Sequence, residues 1–262
     1  MEFVIITPSF NQKKFLKQTL TSVKQQSVKV NHWVFDGGSN DGSKELLTNQ
    51  KDIYFESKPD KGQADAINKG IRKLETWLKE NHKDPNQIIF AYLNSDDYYL
   101  SDALKKVQQV FEKNKNVKWL VGDCVIFNEN NHEIQQPIRL YKQFWRWFIS
   151  KPVLSILNPI PQPSVFIRAS EVIKTGLFNA SLHYVMDYEY WLRLLNKIGK
   201  PEIMTEPIAA FRIHKNSKGA SQFKNQFAEQ YSVVKKFTKN KLLLNLQKFH
   251  NAIIIHMYRL LK

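Results

Sequence analysis

Through the first half of the chain, short apolar runs alternate with longer segments whose apolar residues recur every three or four positions. Phe3–Ile6, His32–Phe35, Ile53–Phe55 and Ile88–Leu93 are the short runs and predict strands. Phe15, Leu16, Leu20 and Val23 share one helical face. Ile67, Ile71, Leu74 and Leu78 share another, and Leu104, Val107, Val110 and Phe111 a third. Trp119–Val121 and Val125–Phe127 read as two further strands. This alternation predicts an α/β fold with a mostly parallel central sheet and helices on both faces.

The polar residues interrupt this pattern at telling places. The first run stops at Thr7-Pro8-Ser9, the second at Asp36-Gly37-Gly38, and the fourth at Asn94-Ser95-Asp96-Asp97. Each lies just past the carboxyl end of a strand, the edge of an open α/β sheet where ligands bind. Three strand ends are thus expected to aim polar groups at one crevice.

The second half reads differently. Residues 137–165 hold five prolines and a basic aromatic stretch, Tyr141 to Phe148. That stretch suits an acceptor lid, a membrane-facing patch or plain core. A helix is expected after Asp187, with Trp191, Leu192, Leu195 and Ile198 on one face. Beyond about residue 216 the chain becomes helical and basic. Its last segment interleaves Leu242–Leu244, Leu246, Phe249, Ile253–Ile255, Met257 and Leu260–Leu261 with Lys241, Lys248, Arg259 and Lys262. A basic amphipathic helix of this kind either lies on an anionic membrane or packs on protein, in the same chain or in a dimer.

Composition narrows the setting. The 262 residues are 42% apolar, enough to bury a real core. The single cysteine, Cys124, permits no intrachain disulfide and no cysteine zinc cage. No apolar run reaches the roughly 18 residues of a membrane span, and the N-terminus does not read as a signal peptide. A cytoplasmic location is therefore expected. The formal charge of +15 attracts polyanions: nucleic acid, anionic lipid or phosphorylated substrates. No nucleic-acid-binding motif is present, and aspartates crowd the expected cleft, so no nucleic acid partner is expected.

Four segments carry candidate chemistry. Asp36-Gly-Gly-Ser-Asn-Asp-Gly-Ser43 fails the dinucleotide pattern because residue 39 is serine. A carboxylate there suits hydrogen bonds to a base or ribose, or else the segment is a turn with Ser39 or Asp41 capping a helix. Asp96 and Asp97 are adjacent acids that repel each other unless a cation or donors compensate, and a hard divalent ion would remove that cost. The alternative is a solvated turn. Lys61-Gly-Gln-Ala-Asp65 opens a helix, where Asp65 argues against a simple phosphate site. Asp187 stands early in its helix, as a dipole or capping acid often does. His214 is able to supply a metal nitrogen ligand.

The order and spacing of these segments closely resemble the inverting glycosyltransferases of family 2, which have the GT-A fold. The matching text is Ile5-Ile-Thr-Pro-Ser-Phe-Asn11, Asp36 to Ser43, Pro59-Asp-Lys-Gly-Gln-Ala-Asp-Ala-Ile-Asn-Lys-Gly70 and Leu93-Asn-Ser-Asp-Asp97. Pro161-Gln-Pro-Ser-Val-Phe-Ile-Arg168, Gly176 to Asn179, Met186-Asp-Tyr-Glu-Tyr-Trp-Leu-Arg193 and Phe211-Arg-Ile-His214 follow in family order. The resemblance implies a GT-A domain over residues 1–217. Its nucleotide-binding half covers about 1–127 and its acceptor half about 128–217, with residues 218–262 as a basic helical extension.

By the same resemblance, Thr7 with its neighbour Pro8, and Asp36, are expected at the nucleotide base. Asp65 is expected in the segment lining the nucleotide-sugar site. Asp96 and Asp97 are expected to bind ribose and a divalent cation, Mn²⁺ or Mg²⁺, with His214 reaching the metal or diphosphate. Asp187 is the expected general base. The implied reaction moves one sugar from a nucleotide-sugar, UDP-sugar favoured, to a hydroxyl of a saccharide or lipid-linked saccharide, with inversion. Cell-surface polysaccharide or glycolipid synthesis at the inner face of the cytoplasmic membrane is the implied setting, with an oligomer left open. A catalytically inactive nucleotide-sugar-binding or membrane-surface protein is the alternative. Three departures stand out. Many relatives have a second aspartate where this chain has Gly37. Asn94 replaces the first acid of the usual pair, leaving open which of Asp96 and Asp97 holds metal. The Gln-x-x-Arg-Trp signature of processive synthases is absent near Asp187.

Overall fold

The computed structural model describes residues 1–215 and 223–260. Strand β1 (Glu2–Ser9) is buried along all but its first residue, as its unbroken apolar run requires of a central strand. Alternate side chains enter two cores: Phe3 and Ile5 join one, Val4 and Ile6 the other. Helix α1 (Lys13–Lys24) and β2 (Val30–Asp36) follow. Next come α2 (Ser43–Thr48), β3 (Tyr54–Ser57) and α3 (Gln63–Glu80). Helix α3 lies so close to β1 that a Cβ at Gly70 would run into Ile6 Cδ1. Strand β4 (Ile88–Tyr92) completes a parallel ladder in the order β3-β2-β1-β4.

The second half of the sheet is mixed. After β5 (Tyr98–Tyr99) and α4 (Ala103–Lys113) comes β6 (Trp119–Asn128), then α5 (Gln136–Arg146) and α6 (Lys151–Ile156). Strand β7 (Val165–Arg168) inserts antiparallel between β4 and β6. Helices α7 (Ala169–Thr175) and α8 (Met186–Ile198) lead to β8 (Glu202–Ile213), which runs parallel to β6 and pairs antiparallel with β5. The full order is β3-β2-β1-β4-β7-β6-β8-β5.

Two strands expected at 119–121 and 125–127 are one. Strand β6 runs through Gly122 and Asp123 with register shifts on either side of Asp123. The polar interruption is a buried acid: Asp123 is fully enclosed and meets Arg139 Nη2 at 2.7 Å and the Arg146 guanidinium, both from α5.

Helices α9 (Phe223–Phe237) and α10 (Lys241–Leu260) close the described chain. Val233 and Val234 of α9 belong to the same core as Val4 and Ile6, so this extension packs on the sheet domain. The boundary expected at residues 217 and 218, and residues Leu261 and Lys262, lie outside the described residues.

Candidate active site

Register places the carboxyl ends of three parallel strands side by side. Ser9 pairs with Asp36 across β1 and β2, and β4 ends at Tyr92 opposite Ile6. A cavity of about 630 Å³ opens at this edge. Its walls are Pro8 to Gln12 at the end of β1, Gly37 after β2, and Asp60, Gly62, Gln63 and Ala66 at the start of α3. Asn94 to Asp96 after β4, and Phe211 and Arg212 near the end of β8, complete it.

The first two walls are laced together. Asn11 N–H donates to Ser39 Oγ at 2.8 Å, Asn40 N–H to Asn11 Oδ1 at 3.0 Å, and Lys13 N–H to Asp41 Oδ2 at 2.8 Å. Asp36 shapes the loop from below. Its carboxylate accepts from Ser39 N–H at 2.9 Å, Gly38 N–H at 3.2 Å, Ser57 Oγ at 2.7 Å and the Ser39 hydroxyl. Thr7 is fully buried, with its hydroxyl 2.8 Å from His32 Nε2. Thr7 and Asp36 were expected to reach the nucleotide themselves, but here both spend their polar atoms on the protein. Pro8 does line the cavity. Asp65 lies one turn into the wall-forming helix and accepts from Lys61 N–H at 3.2 Å, without itself lining the space.

The carboxylate that does face the Gly37 wall is Asp60, which the sequence reading did not single out. A Cβ at Gly37 would sit 3.1 Å from Asp60 Oδ2. An aspartate at position 37 would therefore press one carboxylate on another, which accounts for glycine there.

The acidic motif divides its labour. Asp96 lines the cavity, its side chain 21% exposed, and its Oδ2 is 3.0 Å from His214 Nε2. Asp97 is fully buried. One of its oxygens accepts from Arg212 N–H at 2.9 Å and the other from Asn94 Nδ2 at 3.2 Å. Burial, and secondarily the neighbouring Asp96, pushes the Asp97 carboxyl well above the ordinary carboxylate range. Asp97 thus offers no oxygen to the cavity. Asn94 is explained by the same network: its amide donates to Asp97 and to Gln162 Oε1 at 3.0 Å, which a carboxylate is unable to do. Gln63 and Gln162 extend the chain of amides to the Tyr92 carbonyl.

Arg212 is the second residue the sequence undervalued. It is 1% exposed, and it ties four segments together. Its guanidinium donates to the Asp96 carbonyl at 3.0 Å, to Asn128 O and Asn131 Oδ1, and to Gln18 Oε1 at 2.6 Å. No local pattern marks it, because its partners lie 81–194 residues away.

Asp187 begins α8 and sits half-buried outside the cavity. Its carboxylate accepts from Tyr188 N–H at 2.7 Å. Burial raises its carboxyl above the ordinary value, against the Tyr188 N–H and the Lys142 ammonium, which lower it. Burial lowers Lys142 in turn, with Asp187 opposing. Burial, then Asp187 and Asp97, raise the Tyr92 phenol, whose hydroxyl has no partner in the structure. Tyr92 thus lies within the field of both acids.

Whether these groups fit a metal is a question of donors. Among the described residues no cluster of three or more His, Cys, Asp or Glu side chains is placed to hold an ion. Asp96 and His214 give one carboxylate and one imidazole beside an open cavity. That set suits a hard divalent ion that takes its other ligands from phosphate and water. Asp97 does not belong to it.

Residues 4–176 match the profile of Glycosyl transferase family 2. The chain belongs to that family. It is a glycosyltransferase. An uncharacterized glycosyltransferase of Mycobacterium tuberculosis is 39% identical over 193 residues, 72% of this chain and 67% of the relative. A UDP-Glc:alpha-D-GlcNAc-diphosphoundecaprenol beta-1,3-glucosyltransferase, WfaP of Escherichia coli, is 23% identical over 98% of this chain and 93% of its own. Among solved structures, the mannosyltransferase PcManGT from Pyrobaculum calidifontis in complex with GDP-Man and Mn²⁺ shares the fold. Its TM-score is 0.65 at 13% identity, covering 95% of this chain and 69% of that one.

Proposed function

We propose that this glycosyltransferase moves a single sugar from a nucleoside diphosphate sugar, a UDP-sugar by preference, to a hydroxyl of a saccharide or lipid-linked saccharide, with inversion. The observation that carries the reading is Asp96, in the wall of a cavity bounded by three strand-end loops, with His214 Nε2 against its carboxylate. The uridine nucleotide and the lipid-linked acceptor are supported by the activity of WfaP. The cation is supported by the manganese in the PcManGT complex.

In this reading the base lies against Pro8, Gly37 and Asp60, on loops that Thr7 and Asp36 hold in shape. The diphosphate faces Asp96 and His214. A bound Mn²⁺ or Mg²⁺ there supplies Lewis-acid neutralisation of the departing diphosphate. Arg212 and Asp97 keep the Asp96 backbone in place. Asp187 takes the proton from the attacking acceptor hydroxyl, and its raised carboxyl makes it a stronger base than an exposed aspartate. One displacement at the anomeric carbon, with base and leaving group on opposite sides, inverts the configuration. A lipid-linked acceptor would put the reaction at the inner face of the cytoplasmic membrane. No helix among the described residues is long and apolar enough to cross a membrane.

Thermal-shift measurements with nucleoside diphosphates and nucleotide-sugars, with and without Mn²⁺, test the donor side. Stabilisation by UDP-sugars that EDTA abolishes, and that Asp96→Asn or His214→Ala weakens, is the expected result. Shifts indifferent to base, metal and both substitutions would overturn it.

A further inference from the structure

Helix α10 carries apolar residues on two sides: Leu244 packs on the core, and a second set faces outward. Gln247 and Asn251 are 0% and 6% exposed and face the protein, while Leu242, Leu246, Phe249 and Ile253 form an outward stripe 40–67% exposed. Their spacing of four, three and four residues keeps them on one side of the helix. Burying a glutamine while leaving four large apolar side chains in water reverses the usual gain from a surface helix. Both polar atoms of the Gln247 side chain lack partners, which adds to the cost. Removing the outward stripe from water would recover that cost.

A second apolar surface adjoins it. Around the end of α5, Leu140, Phe144, Trp147 and Phe148 are 51–60% exposed. Phe144 packs on Phe148, their ring centroids 5.2 Å apart. Tyr141 joins the two surfaces, with its hydroxyl 3.0 Å from His250 Nε2 of α10 and the rings stacked. The two exposed apolar and aromatic surfaces are linked through the Tyr141–His250 contact, and exposed apolar area of this extent marks an interaction site.

Charge selects the occupant. Among the described side chains of residues 225–255, Lys235, Lys236, Lys239, Lys241 and Lys248 are exposed, against one acid, Glu229. That acid is engaged inward, accepting the backbone N–H groups of His183, Tyr184 and Val185. Residues 136–151 carry no acid. Two copies of so basic a face would repel each other, whereas an anionic lipid surface attracts it. Trp and Phe beside Lys suit the headgroup boundary, where apolar rings sink below the charged heads.

We propose that the α5–α10 face is a membrane-docking surface, which seats the enzyme on the interface of an anionic bilayer with the Phe144–Phe148 cluster and the Leu242–Ile253 stripe inserted. This extends the lipid-linked-acceptor reading, since α5 also carries Lys142 to Asp187 and so ties the docked face to the acceptor side. It stands on its own observations, and its test does not read sugar transfer.

The test is flotation of the full chain with vesicles of phosphatidylcholine alone or doped with phosphatidylglycerol. The variants are Phe144→Ser and Phe249→Ser, singly and together. Both positions are exposed, so circular dichroism and the donor-induced thermal shift should be unchanged. The wild type is expected to float with the anionic vesicles and to be released by salt. Each substitution should lower partitioning by about tenfold. Three results would overturn the proposal: a wild type that stays unbound with both vesicles, variants that float as it does, or a dimer in sedimentation that the substitutions dissolve without any vesicle binding. Loss of donor binding in the wild type would instead sink the donor reading and leave this one untouched.

Discussion

Replacing Asp187 by asparagine separates what this residue does for the fold from what it does for transfer. The amide keeps the size of the side chain and an oxygen for Tyr188 N–H, from which the carboxylate accepts at 2.7 Å. Burial raises the carboxyl above its ordinary 3.8, so the folded protein favours the protonated form. The sign follows from linkage. A group raised on folding contributes stability below its unfolded value and loses it as pH rises through the folded one. At neutral pH the ionised Asp187 is therefore a net cost, and the asparagine variant is expected to be at least as stable as the wild type. Turnover should move the other way, because an amide accepts no proton. The loss is about 10²–10⁴-fold, or roughly 3–5 kcal/mol of transition-state stabilisation. Release of nucleoside diphosphate in the presence of acceptor measures turnover, urea melts measure stability, and thermal shift measures donor binding. In the wild type, turnover should fall as pH drops through the raised carboxyl value, so the acid limb lies above pH 3.8. A folded variant with turnover within about threefold of wild type would refute the base assignment. So would a variant that loses stability and donor binding together, since that pattern belongs to a helix cap.

Two further outcomes concern the frame around the site. Asp123→Ala leaves Arg146, 2% exposed, with the Gly122 carbonyl as its remaining hydrogen-bond acceptor. It should cost about 3–5 kcal/mol in urea melts, and a loss under about 1 kcal/mol would show the ion pair to be dispensable. His32 is buried beside Thr7, and burial lowers it from 6.5 to about 4. The unfolded chain takes a proton below about 6.5 and the folded one does not, so stability should fall between pH 6.5 and about 4, by roughly 3 kcal/mol in all. An imidazole resonance of His32 titrating near 6.5 in the folded protein would contradict this.

Much of the fold was legible because it is written in local period. The runs beginning at Phe3, His32 and Ile88 became β1, β2 and β4, and the stripe from Ile67 to Leu78 became the buried face of α3. The reading stumbled where a long-range partner replaces a local pattern. Strand β6 looked interrupted because the partners of Asp123 are arginines 16 and 23 residues on. Strand β8 carried no clear strand period, since its first half is exposed or half-buried and its second half holds buried Arg212 between half-buried Phe211 and Ile213. The same limit applied in the cavity. Residue types at strand ends pointed to the right edge of the sheet. They did not tell which oxygens are free, because that depends on who else is hydrogen-bonded. Thus Asp36 and Asp97 turned inward, while Asp60, counted only as part of a longer motif, faces the space.

The family profile ends at residue 176, yet one wall of the cavity and the imidazole beside Asp96 come from Phe211 to His214. Asp97 receives the Arg212 N–H across 115 residues, and Gln18 the Arg212 guanidinium across 194. A chain emerging from the ribosome folds from its N-terminus onward. Strands β1 to β4 and their loops are all synthesised before β8 is. Through that interval Asp97 has no Arg212 backbone to hold it, and Asp96 no histidine. The donor site is therefore finished only when nearly the whole domain has been made. A chain ending before residue 202 would lack β8 and with it the Arg212 and His214 partners of the acidic motif.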